Sequence, residues 1–332
     1  MLTTETIFMR LSLGLALLVT GAAVAAQNPA TKPPAASSAG FRFEAIGNKS
    51  LQLWEGDRLV FTYHFGAMTS SNAPNARSRS NYFHPLYGLD GEVLTDDFPK
   101  DHDYHRGLYW AWSHVRVADQ EYDSWSLRGI RYEFQRWLAK EARPDGARLG
   151  VENGWFAGDK QIMRESVWVR VHPRSASSRV IDLDLTWTPT DQSVSLLGAE
   201  GKSYGGLTLR FGPRSKTTIT VPGGRTSEDL MMTNLPWADF SGDLKKGGGD
   251  LSGVAVFVHP DHPDYPPTWM TRHYGLLAVG WPGVAPKTLS AGAPITCRYR
   301  IWVHRNAPEA AEIQRAYEDY SATARRQPAG KE

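Results

Sequence analysis

With 37 basic and 35 acidic side chains over 332 residues, the chain has a formal net charge of only +2. No basic stripe or Lys/Arg cluster interrupts this balance, which argues against nucleic acid or an anionic lipid surface as the partner. A single cysteine, Cys297, excludes an intramolecular disulfide. Stability must therefore come from packing, for which 12 Trp, 13 Tyr and 12 Phe supply ample area.

The chain opens with Met9 and Arg10, an apolar run from Leu11 to Val19, and small residues from Gly21 to Ala26. A basic start, a short apolar stretch and a small-residue cleavage site predict a secretory signal peptide over residues 1–26, and so a periplasmic or secreted protein. The run is shorter than the roughly 20 residues a helix needs to cross a bilayer, so no membrane association is expected after cleavage. Residues 27–40, rich in Pro, Ala and Ser, read as a flexible leader. A single domain is expected over 41–325, and a disordered tail over 326–332.

Within that domain, period-two alternation recurs between Gly, Pro and Asn/Asp clusters, as in Leu59–Phe65, Val167–Val171, Val180–Trp187, Leu207–Phe211 and Gly253–Val258. In the fourth run Leu207, Leu209 and Phe211 point one way and Thr208 and Arg210 the other. Strands with one wet face favour an all-β fold of large antiparallel sheets packed as a sandwich. Cys297 lies on the apolar side of the alternating run Ile295–Val303 and is expected to be a buried core thiol. One helix is predicted after Pro308, with Glu309 and Glu312 at its positive end and Ile313, Ala316, Tyr317 and Tyr320 on one face. It should cap the sandwich from outside. Neither a GxGxxG turn nor a GxSxG elbow is present, so nucleotide binding and a serine nucleophile are unsupported.

The densest polar constellation runs from Asn81 to Asp90 and from Asp101 to His114. It holds His84, His102, His105 and His114 with Asp101, Asp103 and Arg106, and imidazole beside carboxylate suits acid–base chemistry near neutral pH. The interleaved Tyr104, Tyr109, Trp110 and Trp112 suit a platform for sugar rings. His102 and His105, three apart on a loop, could also hold a divalent metal with Asp101 or His84. If these residues lie on a strand, that spacing sends them to opposite faces.

A second constellation, Val258 to Gly275, is stiffened by four prolines and carries His259, His262, Trp269, Arg272 and His273. Thinner candidates are Glu152 and Glu165 as acid or base, and Tyr204 with Arg210 as an anionic-sugar contact.

Taken together, His84-Pro-Leu-Tyr, the Asp101–Gly107 segment with His-Arg-Gly, Tyr204-Gly-Gly-Leu, Gly253–Pro260, Trp269, Arg272-His-Tyr-Gly275 and Val303-His304 resemble the bacterial PmoA-type family, whose members carry the label methane oxygenase PmoA. Where that family has His-His-Arg-Gly, this chain has Tyr104-His105-Arg106-Gly107. The label is not to be taken literally, because a membrane monooxygenase subunit needs several spanning helices. What the resemblance implies is a galactose-mutarotase-like supersandwich in an exported protein of glycan-degrading bacteria.

The expected function is a carbohydrate-active enzyme, a hydrolase or lyase. His102, His105, Asp101 and His84 would serve its acid–base chemistry, and Arg106, Trp110, Tyr204, His259, Trp269, Arg272 and His273 would hold the substrate. A non-catalytic carbohydrate-binding protein and a metal-dependent oxygenase are the alternatives. The decisive structural question is whether the two His-rich loops meet in one pocket.

Overall fold

Alternation turns into sheet along most of the chain. The computed structural model describes residues 40–71, 73–245 and 248–324. The expected signal segment, nearly all of the leader and the tail lie outside these residues. The described residues form 22 strands and one α-helix, and all strand pairs are antiparallel.

Two nine-stranded sheets carry the fold. The first runs Phe41–Ile46, Ser50–Glu55, Arg58–His64, Tyr82–Leu86, Leu108–Ala111, Gly206–Arg210, Leu276–Gly280, Thr268–Arg272 and Met231–Asn234. The second runs Gly224–Thr226, Ser215–Val221, Trp237–Asp243, Ser252–Val258, Ile295–Arg305, Ser178–Pro189, Lys160–Val171, Gly146–Ala157 and Arg131–Arg143. A four-stranded sheet is built from Lys287–Leu289, Val194–Leu197, His114–Val117 and Gln120–Tyr122.

One apolar layer joins the two large sheets: Phe61, Phe83, Leu108, Leu207 and Leu209 from the first share a cluster with Val167, Val169, Ile181, Leu183 and Ile301 from the second. Cys297 belongs to this layer and is fully buried. Burial pushes its thiol well above the ordinary range, as expected of an inert core thiol.

Inside the same layer sits a carboxylate. Glu165 is completely buried; its Oε2 accepts the indole N–H groups of Trp110 at 2.6 Å, Trp155 at 3.0 Å and Trp187 at 3.0 Å. Its Oε1 accepts from Asn153 Nδ2 at 3.1 Å. Trp110 comes from the first sheet and the other residues from the second, so this group ties the two together. Its acid–base role is thereby corrected: Glu165 is a core acceptor, out of reach of solvent.

The helix Ala310–Ala324 lies on the outer face of the second sheet, placing Ile313, Tyr317 and Tyr320 on Trp237, Ala255 and Phe257. The spacing of those three residues keeps them on one helical stripe. Burying each such side chain contributes about 1.5–3 kcal/mol. No helix among the described residues is long and apolar enough to cross a membrane.

The first sheet departs from expectation at its centre. Every residue of Gly206–Arg210 and of Leu108–Ala111 is buried, so the face carrying Thr208 and Arg210 is covered as well. On that outer face Tyr82, Tyr109, Ala111 and Trp125 form a second small cluster, flanked by Met68, Tyr104 and Tyr204. The chain can pass close over the sheet there because Gly107 has no side chain: a Cβ would fall 2.3 Å from Phe83 O.

Candidate active site

The chain from Asp96 to Arg106 crosses this outer face between two antiparallel neighbours, Leu108–Ala111 and Gly206–Arg210. It is tied to the strand Gly206–Arg210 by Asp96 N donating to Arg210 O at 2.9 Å and closed on itself by Phe98 N donating to His105 O at 3.3 Å. Arg106 supplies the internal brace. It is completely buried and donates to the carbonyls of Asp103 at 2.9 Å, His105 at 2.6 Å and Arg77, with its guanidinium 3.4 Å from the centre of the Phe98 ring. All these partners are groups of the protein itself, so the expected substrate contact at Arg106 is corrected to a structural one.

That brace presents Asp101 and His102 at the surface. His102 Nδ1 lies 3.0 Å from Asp101 Oδ2, with the two side chains 31% and 47% exposed. Asp101 is held from the other side by Arg210, whose Nη2 is 2.8 Å from both carboxylate oxygens. Partial burial pushes the Asp101 carboxyl upward, but hydrogen bonds from Arg210 and His102 outweigh it and bring it down to about 2. Asp101 is thus a permanent anion at neutral pH.

The ring of His102 is clamped on both faces. His105 stacks on it at 4.6 Å with an interplanar angle of 2°, and Tyr274 at 5.2 Å with 12°. The second constellation therefore does reach the first, through Tyr274. Its turn is set by Gly275, at φ +111°, where a Cβ would lie 2.6 Å from Arg214 Nη1. His105 is 2% exposed; burial, reinforced by His102 and Arg210, pushes it down to about 2, so it stays neutral. It supports His102 rather than exchanging protons with solvent.

The other expected residues divide clearly. Tyr204 lines the same face, with its ring 4.6 Å from Trp125, and Tyr104 meets His102 edge-on at 5.8 Å. His84 is also on this sheet, bonded to Thr95 Oγ1 at 3.1 Å and lowered to about 3 by burial and by the neighbouring His64 and Arg106. Trp110 and Trp269 are not stacking platforms: both are buried, Trp110 donating to Glu165 and Trp269 Nε1 to Leu235 O at 2.8 Å. Trp110 faces inward because it alternates with the outward-facing Tyr109.

His259, one residue past the second-sheet strand Ser252–Val258, packs on Tyr320 of the helix at 5.6 Å. His273 is occupied by Asp229 at 2.8 Å, and Arg272 donates to Leu230 O at 3.1 Å, so both fasten the segment 226–230. The meeting of the two loops is therefore partial.

A divalent metal does not fit. Rings stacked in parallel, as His102 and His105 are, send their in-plane lone pairs along parallel planes instead of converging on one ion. The described residues contain no group of three metal-ligating side chains. Two contributors carry weak signals in the sequence: Arg210, a thin candidate for an anionic-sugar contact at the polar position of an alternating strand, and Tyr274, one aromatic among many.

A family model described as a family of unknown function (DUF6807) matches residues 50–318, and the chain belongs to that family. The match does not carry the methane-oxygenase label. No curated protein is similar in sequence. Among solved structures, the chain is similar to the heparan sulfate lyase HepC from Pedobacter heparinus at 7% identity and a TM-score of 0.38, covering 82% of this chain and 36% of that one. It therefore spans little more than a third of the lyase. It is also similar to a galactose mutarotase related enzyme from Lactobacillus acidophilus (7% identity, TM-score 0.36, 81% of this chain and 99% of that one). A GalM/aldose epimerase homologue from C. elegans gives 9% identity and a TM-score of 0.32, over 81% of this chain and 99% of that one.

Proposed function

We propose that this DUF6807 member is an exported carbohydrate-active enzyme, a hydrolase or lyase, that moves a proton with His102. The observation that carries the reading is the Asp101–His102 pair, 3.0 Å apart on a half-exposed surface. Asp101 stabilises the imidazolium that forms when Nε2 takes a proton, and Arg210 keeps that carboxylate ionised and fixed. The His105 ring stacked on the imidazole restricts it to one plane, so little orientation remains to be lost on binding. Tyr104, Tyr204 and Tyr274, all partly exposed around the pair, offer flat apolar faces edged with hydroxyls, which suit sugar rings.

The test is turnover across a panel of glycans, followed by His102→Ala on whichever is consumed. Loss of roughly 10²- to 10⁴-fold is expected for a general base; full retention by a folded variant sinks the assignment. A non-catalytic sugar-binding protein is the second reading, favoured by the same tyrosine rim. It predicts saturable binding without product, and a larger loss from Tyr274→Ala than from His102→Ala.

A further inference from the structure

Arg210 has more donors than the protein uses. Its side chain is buried, with Nη2 engaged by Asp101, yet Nε and Nη1 are both enclosed and have no hydrogen-bond partner. Neighbours on the same face share this condition, among them His105 Nδ1 and the Tyr109 hydroxyl, whose rings are 6.4 Å apart. Buried polar groups are nearly always satisfied, and those of a charged side chain are the most costly to leave unmet. The remaining charges nearby do not supply the missing acceptor. Asp96 accepts from Asp97 N, and Arg214, the other charge nearby, is itself a donor, spent on Gly212 O, His273 O and Thr217 Oγ1. What lies over Arg210 is Tyr274, its ring centre 4.9 Å from the guanidinium carbon.

We infer that the substrate is an acidic sugar of the uronate class, that its carboxylate accepts from the unpartnered Nη1 of Arg210, and that Tyr274 is the cover that moves aside to admit it. Nε–H and Nη1–H point to opposite sides of the guanidinium, so the carboxylate meets Nη1 in a charge-assisted hydrogen bond, about twice as strong as a neutral one. Tyr274 is the element suited to moving: it is 39% exposed, sits on a turn at Gly275 and is held over Arg210 and His102 by ring contacts. The inference rests on the acid–base reading of His102 for its location, and adds to it the charge of the substrate and the residue that reads it.

The experiment compares binding of galacturonate, glucuronate and mannuronate oligomers with galactose, glucose and mannose oligomers of equal length, by calorimetry on the folded protein. Acidic oligomers are expected to bind and neutral ones not. Arg210→Lys keeps a cation for Asp101 but removes the Nη1 donor, and should weaken acidic binding roughly 10- to 100-fold. Because Arg210 variants can misfold, a second measurement uses Tyr274→Ala. Phenylglyoxal should modify Arg210 in that variant, as mapped by peptide mass, and an acidic oligomer alone should protect it. Equal or tighter binding of neutral oligomers, acidic binding unchanged in Arg210→Lys, or no protection would each overturn the inference. If neutral glycans bind and are turned over in a His102-dependent manner, only the substrate class falls. If no glycan of either kind binds, the acid–base reading falls with it.

Discussion

Glu165 and Asp101 are both carboxylates that gather several donors, one on each side of the first sheet. Around Glu165 every direction is filled: three indoles meet one oxygen and Asn153 the other, all of them buried. Around Asp101 the donors are themselves only partly used, since His102 is 31% exposed and two nitrogens of Arg210, Nε and Nη1, have no partner. The difference separates structure from chemistry. A carboxylate whose partners are exhausted holds the sheets together, whereas one whose partners have capacity left can act on something else.

Removing the first centre should have the largest effect on folding. Glu165→Ala leaves three indole N–H groups without an acceptor and takes one of two acceptors from Asn153, whose Nδ2 also donates to the Tyr63 hydroxyl, and a destabilisation of about 3–5 kcal/mol is expected in denaturant unfolding. Glu165→Gln keeps the shape and one acceptor oxygen and should lose clearly less; equal losses would show that shape-matched hydrogen bonding is not what matters. Next in size, Trp110→Phe deletes the 2.6 Å bond and should cost about 1.5–3 kcal/mol, with turnover per folded molecule unchanged. A selective loss of activity in this variant would blur the separation between the two faces.

Acidification probes the outer face. Burial lowers His64 to about 4, His84 to about 3 and His105 to about 2, against about 6.5 in an unfolded chain. Below pH 6.5 the unfolded chain therefore binds more protons, and stability falls with pH by up to roughly 1.4 kcal/mol per unit for each histidine. Asp97, raised to about 6 by burial, opposes this between pH 6 and 4, because there the folded state holds the extra proton. Unfolding curves from pH 7 to 4 should show a net loss, and His105→Gln should flatten the slope by about one proton. An unchanged slope would mean that His105 is not held neutral.

The smallest stability effect belongs to Asp101→Asn, within about 1 kcal/mol for so exposed a group. The same change should slow turnover markedly, because the carboxylate that orients and stabilises the imidazolium is gone. Activity at the level of the unaltered protein would dissolve the proposed pair.

Much of the architecture is legible in particular residues. Leu207, Leu209 and Phe211 against Thr208 and Arg210 define strand and faces, and Ile313, Tyr317 and Tyr320 define the buried stripe of the helix, because both patterns follow from local backbone periods. The site is legible in part. His102 and Asp101 stand out by chemistry and proximity, but the interleaved tryptophans mislead: Trp110 and Trp269 are aromatic in the right segments and nevertheless face the core. Composition shows that an aromatic is present; alternation, in register with neighbouring strands, sets its direction. Arg272 and His273 likewise have suitable chemistry, but Asp229 and Leu230, more than 40 residues earlier in the chain, consume it.

The sequence by itself determined an antiparallel all-β body, its C-terminal helix, a core thiol at Cys297 and a His/Asp pair at residues 101 and 102, since each depends on neighbours within a few positions. Only the tertiary structure decided that Glu165 is locked among three indoles, that Arg106 braces a loop, and that Arg210 and Tyr274 meet His102 and Asp101. Those outcomes draw on residues as much as 172 positions apart in the chain (102 and 274), brought together by sheet order, and no local pattern encodes which donor will be exhausted and which left free.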